Sequence, residues 1–538
     1  MDTWQYLLDG LQTALQPGVL IFLLVGVVVG YFVGVLPGLG PVPTIALLLP
    51  LTFTLDPTAA IVMLAGVYYG AMYGGAVPSV LLHMPGESAT VVTMFDGYPM
   101  TKQGRGATAL GTAALASFLG GTISVIGLTL LAPQLAEVAL SFGAAEYTAL
   151  LVAGLMLVSS LTGSSPLRGL ISATLGLMIG TVGIDLNSGQ ARYTGGIFQL
   201  YEGIDFAIAA IGLFAISEIL FAVSERHSGA GQKPYKRLRE MVPTRQDIGY
   251  SAVPAVRGGL LGFITGVLPG AGATLASFLA YGVERKVSKR RHLFGKGAIE
   301  GVATPEAATN AATGGSMAPM LTLGIPGSAV TALLLSALIT QGIEPGPQIF
   351  AQQPGVVWGL IGSLYIGNFV LLLLAFPFVS LSIQLLRMPG SLLYTLIAVL
   401  SLVGAYSINY QLFAVWLMLG FGVVGYVLRR LDFPLAPMIL ALVLGPLLES
   451  NFRRALTISQ GDPLVFVQSG ISIGLLVTAL LLLLLPVLLA KFGKPSFAGA
   501  VASSSEGTDQ ASGPGAPEVV EAGQPASDDE SKSSGKEG

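Results

Sequence analysis

The sequence predicts an all-α polytopic membrane protein, and three observations carry that prediction. Of its 538 residues 53% are hydrophobic and only 10% charged, against roughly 25% charged in a soluble domain, so polar cover for a water-facing surface is missing. Mean hydropathy is +0.75, and several apolar stretches approach the ~18–25 residues that span a hydrocarbon core. The 71 glycines, about twice the usual ~7% share, lie inside those stretches. A soluble enzyme, a nucleic-acid binder and a disordered scaffold are excluded together; the surrounding partner is membrane lipid.

An internal repeat organises the body. Its first copy reads Gly26-x-x-x-Gly30-x-x-x-Gly34-Val35-Leu36-Pro37-Gly38-x-Gly40. The second reads Gly258-x-x-x-Gly262-x-x-x-Gly266-Val267-Leu268-Pro269-Gly270-x-Gly272, matching at every position at an offset of 232. Gly74-Gly75 and Pro85-Gly86 then answer to Gly314-Gly315 and Pro326-Gly327. A lone GxxxG commonly means only close helix packing. Two ladders ending in the same V-L-P-G-x-G at one offset mean a duplicated unit.

Each element follows from charge and hydropathy. Residues 18–55 form a helical hairpin turning at Pro37-Gly38, with Asp2, Asp9 and Asp56 and no basic residue on its flanks, so those flanks read as periplasmic. Residues 58–93 run inward to Lys102 and Arg105, and 107–133 return outward. Spans near 148–164, 166–184 and 204–223 end at the basic loop 225–247. Residues 252–283 turn at Leu268-Pro269-Gly270 between two basic, cytoplasmic flanks, so this hairpin enters from the other side. One hairpin from each side makes 1–247 and 248–493 an inverted-topology repeat.

In the second half, 306–338 go out, 356–385 return, and 391–407 and 411–428 end at Arg429-Arg430. If 433–448 then cross, Arg453-Arg454 land outside against the positive-inside rule; the alternative is a re-entrant 433–450. Residues 494–538 carry 3 Lys/Arg and 8 Asp/Glu with almost no large apolar side chain, which reads as a disordered acidic tail. The first 17 residues hold no Lys or Arg, so no cleavable signal peptide is expected.

The chemistry is expected where the backbone breaks. Pro removes a backbone donor and Gly weakens a helix, so breaks are expected along Tyr73–Ser79 and His83–Ser88, and along Gly314–Pro319 and Gly324–Ser328. Broken backbone at membrane depth is tolerated only where protein buries it or water reaches it. Half-helix N-termini attract anions and freed carbonyls attract cations, which is how secondary transporters build midplane sites.

Gly38, Gly40, Thr44, Pro85, Gly86, Ser88, Gly270, Gly272, Thr274, Ser277, Pro326, Gly327 and Ser328 are therefore the substrate candidates. Gly75, Ser79, His83, Glu87, Asn310, Gly315 and Ser316 are the candidates for coupling to an ion, Na⁺ or H⁺. Glu306, after Pro305, reads equally as a helix-opening residue.

Cys is absent and the three His are far apart, so no metal cluster, Cys nucleophile or cofactor site is indicated, and no enzyme. Lys296 in Phe294-Gly295-Lys296-Gly297 lacks the Gly and Ser/Thr of a P-loop. The rival reading is an ion channel or cation antiporter without organic substrate.

The runs Gly34-Val-Leu-Pro-Gly-Leu-Gly-Pro41, Tyr69-Gly-Ala-Met-Tyr-Gly-Gly75, Asp96-Gly-Tyr-Pro99, Phe294-Gly-Lys-Gly-Ala-Ile-Glu-Gly301 and Leu323-Gly-Ile-Pro-Gly327 resemble the large membrane subunit of tripartite tricarboxylate transporters, the TctA family. The resemblance covers roughly residues 1–490. It implies a secondary permease of the prokaryotic inner membrane that imports citrate-like or other carboxylates on an ion gradient. It also implies a small four-helix membrane subunit, a periplasmic substrate-binding protein, and an elevator-like fold in which hairpins and broken helices move together. His83 stands where this family leads one to expect a small polar residue such as Asn. A homodimer is left open.

Overall fold

In hydrocarbon every backbone N–H and C=O must find a partner within the chain, and runs of Leu, Val, Ala and Gly solve this as helices. The computed structural model describes residues 3–36, 39–161, 166–185, 188–224, 241–269, 272–385 and 390–491. The first half runs α1 Thr3–Leu15, α2 Pro17–Val35, α3 Pro41–Thr52, α4 Pro57–Leu82, α5 Val91–Lys102, α6 Gly106–Ala139, α7 Ala144–Leu161 and α8 Pro166–Gly180. A two-stranded ribbon, β1 Gly183–Ile184 with β2 Ala191–Arg192, precedes α9 Phe206–Ala210, a π-helical turn over Ile211–Ile216, and α10 Ser217–Ser224.

The second half runs α11 Arg245–Val267, α12 Gly272–Val287, α13 Glu300–Leu323, α14 Ala329–Thr340, α15 Ile349–Gln352 and α16 Pro354–Leu385. It ends with α17 Gly390–Asn409, α18 Leu412–Arg430, α19 Leu435–Ile458 and α20 Gly470–Lys491. Starts follow local chemistry. Asp56 accepts from Thr58 N at 2.9 Å just before Pro57, and Thr244 with Asp247 forms a reciprocal capping box at α11. Among the described residues, α2, α4, α6, α16, α18 and α19 are long and apolar enough to cross a membrane. Others are half-length: α3, with 12 residues, reaches only ~18 Å of a ~30 Å core.

The core is built on α4 and α13, buried along almost their whole length. The glycine ladders explain how two other helices approach them. A Cβ on Gly26, Gly30 or Gly34 of α2 would run into the carbonyl oxygens of Met63, Val67 and Ala71 on α4. A Cβ on Gly258, Gly262 or Gly266 of α11 would do the same at Thr304, Ala308 and Ala312 on α13. The partners Met63 and Thr304, Val67 and Ala308, Ala71 and Ala312 are each 241 residues apart. That register pairs Gly74 with Gly315, since a Cβ on Gly74 meets the Tyr31 carbonyl and one on Gly315 the Phe263 carbonyl, 232 residues further on. The sequence pairing of Gly75 with Gly315 is thus off by one, and Gly75 answers to Ser316.

Other expectations shift. The 252–283 hairpin has its two arms, α11 and α12, packed together and onto α13. The 18–55 hairpin opens instead: α2 lies along α4, while α3 touches α2 only slightly and packs against α4, α14 and α17. Both tip turns fall outside the described residues, because Pro37, Gly38, Gly270 and Ala271 do. So do 225–240 of the basic loop and the acidic tail.

The segment 433–450 is neither short nor re-entrant in shape, because α19 continues unbroken for 24 residues. Arg453 near its end is compensated: its Nη2 lies 3.0 Å from Asp185 and 2.7 Å from Glu449, which Arg192 also meets at 2.7 Å. At the helix's other end Arg429 pairs with Glu218.

Candidate functional site

The two central helices stop in matching ways. α4 ends on His83, left-handed at φ 56°, and α13 on Gly324 at φ 66°; left-handed residues end many helices. Met84 N donates to the Pro78 carbonyl at 3.4 Å, and Ile325 N to the Pro319 carbonyl at 3.2 Å. Pro78 and Pro319 themselves sit inside continuous helix, so the breaks fall later than Gly74–Pro78 and Gly314–Pro319. Pro85-Gly86 and Pro326-Gly327 then fold back against the ladders. A Cβ on Gly86 would enter the Gly34 carbonyl and Gly75, and one on Gly327 would press on Ser316 and the Gly266 carbonyl.

The next helical turns begin alike. Glu87 and Thr90 form a reciprocal cap, with Thr90 Oγ1 donating to the Glu87 carbonyl at 2.8 Å. Ser328 and Thr331 form another, Thr331 N donating to Ser328 Oγ at 3.2 Å.

The halves meet here. Ser88 Oγ lies 2.9 Å from Thr274 Oγ1 in the first turn of α12, two residues after Gly272 (φ 60°). Gly40 (φ 56°), at the start of α3, faces Glu87, whose Cγ would be 3.6 Å from an added Cβ. Glu87 Oε2 is buried without a hydrogen-bond partner. Tyr68 on α4 sits beside Ser328, Ser316 and Thr313. Helix starts after Gly40 and at Gly272, Ser88 and Ser328 therefore border one locus. The helix dipoles at these starts favour anionic groups.

Not every candidate reaches it. Thr44 donates to the Gly40 carbonyl at 2.9 Å and Ser277 to the Thr274 carbonyl at 2.8 Å, so both serve their own helices. Ser79 is fully buried, 2.9 Å from the Gly75 carbonyl and 2.8 Å from Thr90 Oγ1. His83 is exposed and stacks against Tyr98, ring centroids 4.7 Å apart. Gly315 packs against α11, and Asn310 lies deeper, its amide donating to the Glu306 carbonyl at 3.1 Å. Glu306 does not open the helix, because α13 begins at Glu300. An apolar cavity of about 520 Å³ lined by Val152, Leu177, Leu448, Phe452 and Phe466 lies elsewhere and gathers none of these residues.

Sequence reasoning missed the tyrosines. Tyr69 lies 3.3 Å from Ser124, and Tyr73 donates to Asn368 Oδ1 at 2.8 Å. Three hydroxyl-bearing aromatics in one fully buried apolar run were the available signal. It also left Asp96 without a role. Asp96 Oδ1 accepts from Gly295, Gly297 and Ala298 N–H at 2.8, 2.9 and 2.8 Å, and Oδ2 from the Tyr281 hydroxyl at 2.9 Å. Positive φ at Gly295 and Gly297 shapes that loop into an anion nest.

Fold and site together define a multi-pass all-α membrane protein in which the loop after one buried helix meets the start of α12 from the other half, at Ser88 and Thr274. The chain matches the tripartite tricarboxylate transporter TctA family over residues 20–440, and it belongs to that family. An uncharacterised 52.8 kDa protein of Agrobacterium vitis, from the TAR-I ttuC' 3' region, is 45% identical over 500 residues, covering 92% of this chain and 99% of that one. A second Agrobacterium vitis protein, from the TAR-II ttuC' 3' region, is 46% identical over 233 residues, 43% of this chain and 96% of its own length. No solved structure matches. Membership points to a tricarboxylate transporter subunit.

Proposed function

We propose that the chain is the permease subunit that imports tricarboxylates or related carboxylates across a prokaryotic inner membrane, driven by a Na⁺ or H⁺ gradient. A periplasmic binding protein delivers the substrate and a small four-helix membrane subunit completes the assembly, as the family name implies. The two halves act as inverted repeats, with hairpins and broken helices shifting together in an elevator-like cycle.

One observation carries the reading: Ser88 and Thr274, from opposite halves, meet hydroxyl to hydroxyl among four helix starts. A carboxylate there accepts from both hydroxyls and is favoured by the helix-start dipoles, with no Arg or Lys among the described residues of these loops to hold it irreversibly. The test is uptake of a labelled carboxylate panel, citrate included, in cells carrying the chain, its small partner and its binding protein. Sodium is removed in one arm and the proton gradient collapsed in another. Uptake requiring the binding protein and one ion supports the permease; ion flux from the large subunit alone, with no carboxylate uptake, overturns it.

A further inference from the structure

Glu306 is fully buried on α13, six residues inside the helix. Thr93 of α5 donates to its Oε1 at 2.6 Å and Ser117 of α6 to its Oε2 at 3.3 Å. Among the described residues no cationic side chain pairs with it. Asp96 on α5 is held by the 295–298 backbone and Tyr281, and Lys102 lies over the Tyr98 ring. Arg105 before α6 pairs with Asp247 of α11, Arg257 of α11 with Glu284 of α12, and Arg290 with Glu300. An ionised carboxylate in such a setting is heavily penalised, whereas the neutral acid keeps both contacts: Oε1 accepts from Thr93, and a proton on Oε2 is donated to Ser117 Oγ, whose hydroxyl turns from donor to acceptor.

Packing does not demand an acid here. By the register that matches α4 to α13, the position of Glu306 is held in the first half by Ala65, which is equally buried. From Glu306 a line of polar groups runs toward the tip loops. Asn310, one turn on, is fully buried with Oδ1 unpartnered; Thr313 and Ser316 follow, beside Tyr68. Along α13 the unsatisfied amide oxygen of Asn310 lies between the acid and the tip-loop end of the helix, and such a buried, unpartnered polar group marks a path for a proton.

We infer that Glu306 is the site that carries the driving proton, so that the coupling ion is H⁺. This rests on the permease reading and names its energy source. One proton binds a Glu306 carboxylate oxygen from water on one side of the membrane. The same O–H bond breaks to water on the other side, leaving the carboxylate, and no other bond changes. Thr93 and Ser117 tie the site to α5 and α6, so its protonation state is felt where the first-half tip loop leads into α5.

The test compares the full chain with Glu306→Gln, assembled with its partner proteins in proteoliposomes. Gln keeps the shape of the neutral acid. Citrate uptake under an inward proton gradient is expected to fall about tenfold or more in the variant, while citrate counterflow without a gradient stays within about twofold. Infrared difference spectra of the two chains are recorded as well, and a protonated carboxyl band present in the wild type and missing from Glu306→Gln is expected. Unchanged gradient dependence in the variant, or no such band, overturns the assignment and leaves the permease standing. No movement of any carboxylate of the panel in the wild type under any gradient, with the band present, overturns the permease reading and with it the coupling role.

Discussion

Ser88 Oγ and Thr274 Oγ1 stand 2.9 Å apart although 186 residues separate them in the chain. Each belongs to a short turn held by its own half: Ser88 follows the Gly86 fold-back against Gly34 and Gly75, and Thr274 follows the turn out of α11. The contact therefore reports how the halves are set against each other, and a ligand inserted there senses both.

The first prediction concerns affinity. Ser88→Ala and Thr274→Ala each remove one donor worth ~0.5–1.5 kcal/mol, so the KM for carboxylate uptake should rise about threefold to tenfold in each. Membrane levels should stay normal, since Ser88 is exposed and Thr274 only half-buried. Unchanged KM in both variants would remove the hydroxyls from the site.

The glycine ladders predict a different phenotype. Gly30→Val and Gly262→Val push side chains into the backbone of α4 and α13, and overpacking of this kind costs ~1–3 kcal/mol or more. Both variants should be depleted from the membrane, measured by immunoblot against the wild type. Gly272→Ala, whose Cβ meets nothing within 4 Å, should accumulate nearly normally, with only backbone strain of ~1–2 kcal/mol.

The Asp96 latch predicts local loosening. Asp96→Ala deletes the acceptor of three backbone N–H groups and of the Tyr281 hydroxyl. Buried donors left unmade cost ~1–3 kcal/mol apiece, not additively. Trypsin should cut at Arg290, Arg291 or Lys296 at least about fivefold faster than in the wild type, because cleavage tracks the open population. Equal cutting rates would mean that the loop is held by something else.

Topology can be read chemically, because the chain has no Cys. Thr457, exposed near the end of α19, lies on the side of Asp185 and Arg192, opposite Arg429. Thr457→Cys should be labelled by an impermeant maleimide in intact spheroplasts. Labelling only after lysis would place Arg453 inside and reverse the assigned direction of α19.

Much of this was legible beforehand, for physical reasons. Composition settles the membrane class, since 10% charge leaves no water-facing surface. The Gly26–Gly34 and Gly258–Gly266 ladders announce close approach because only Gly lets backbones touch.

What stayed hidden needed three dimensions. Pro78 and Pro319 look like breaks, yet both helices run on past them and end at His83 and Gly324. Nothing local says that α3 leaves α2 while α12 stays with α11. The Gly74-Gly75 pair slipped by one because a dipeptide cannot report register. Glu306 looked like a helix-opening residue since Pro305-Glu306 fits that role, and only the start of α13 at Glu300 and the contacts with Thr93 and Ser117 place it in the interior.

The most direct test of the central claim, that tip loops from both halves form one carboxylate site, is disulfide trapping. The double variant Ser88→Cys with Thr274→Cys holds the only two thiols in the chain. Oxidation of membranes containing it should give an intramolecular disulfide, seen as altered mobility on a non-reducing gel, at a rate that falls when citrate or another transported carboxylate is present. Absence of the cross-link, or a rate indifferent to every carboxylate that the transporter takes up, would contradict the account.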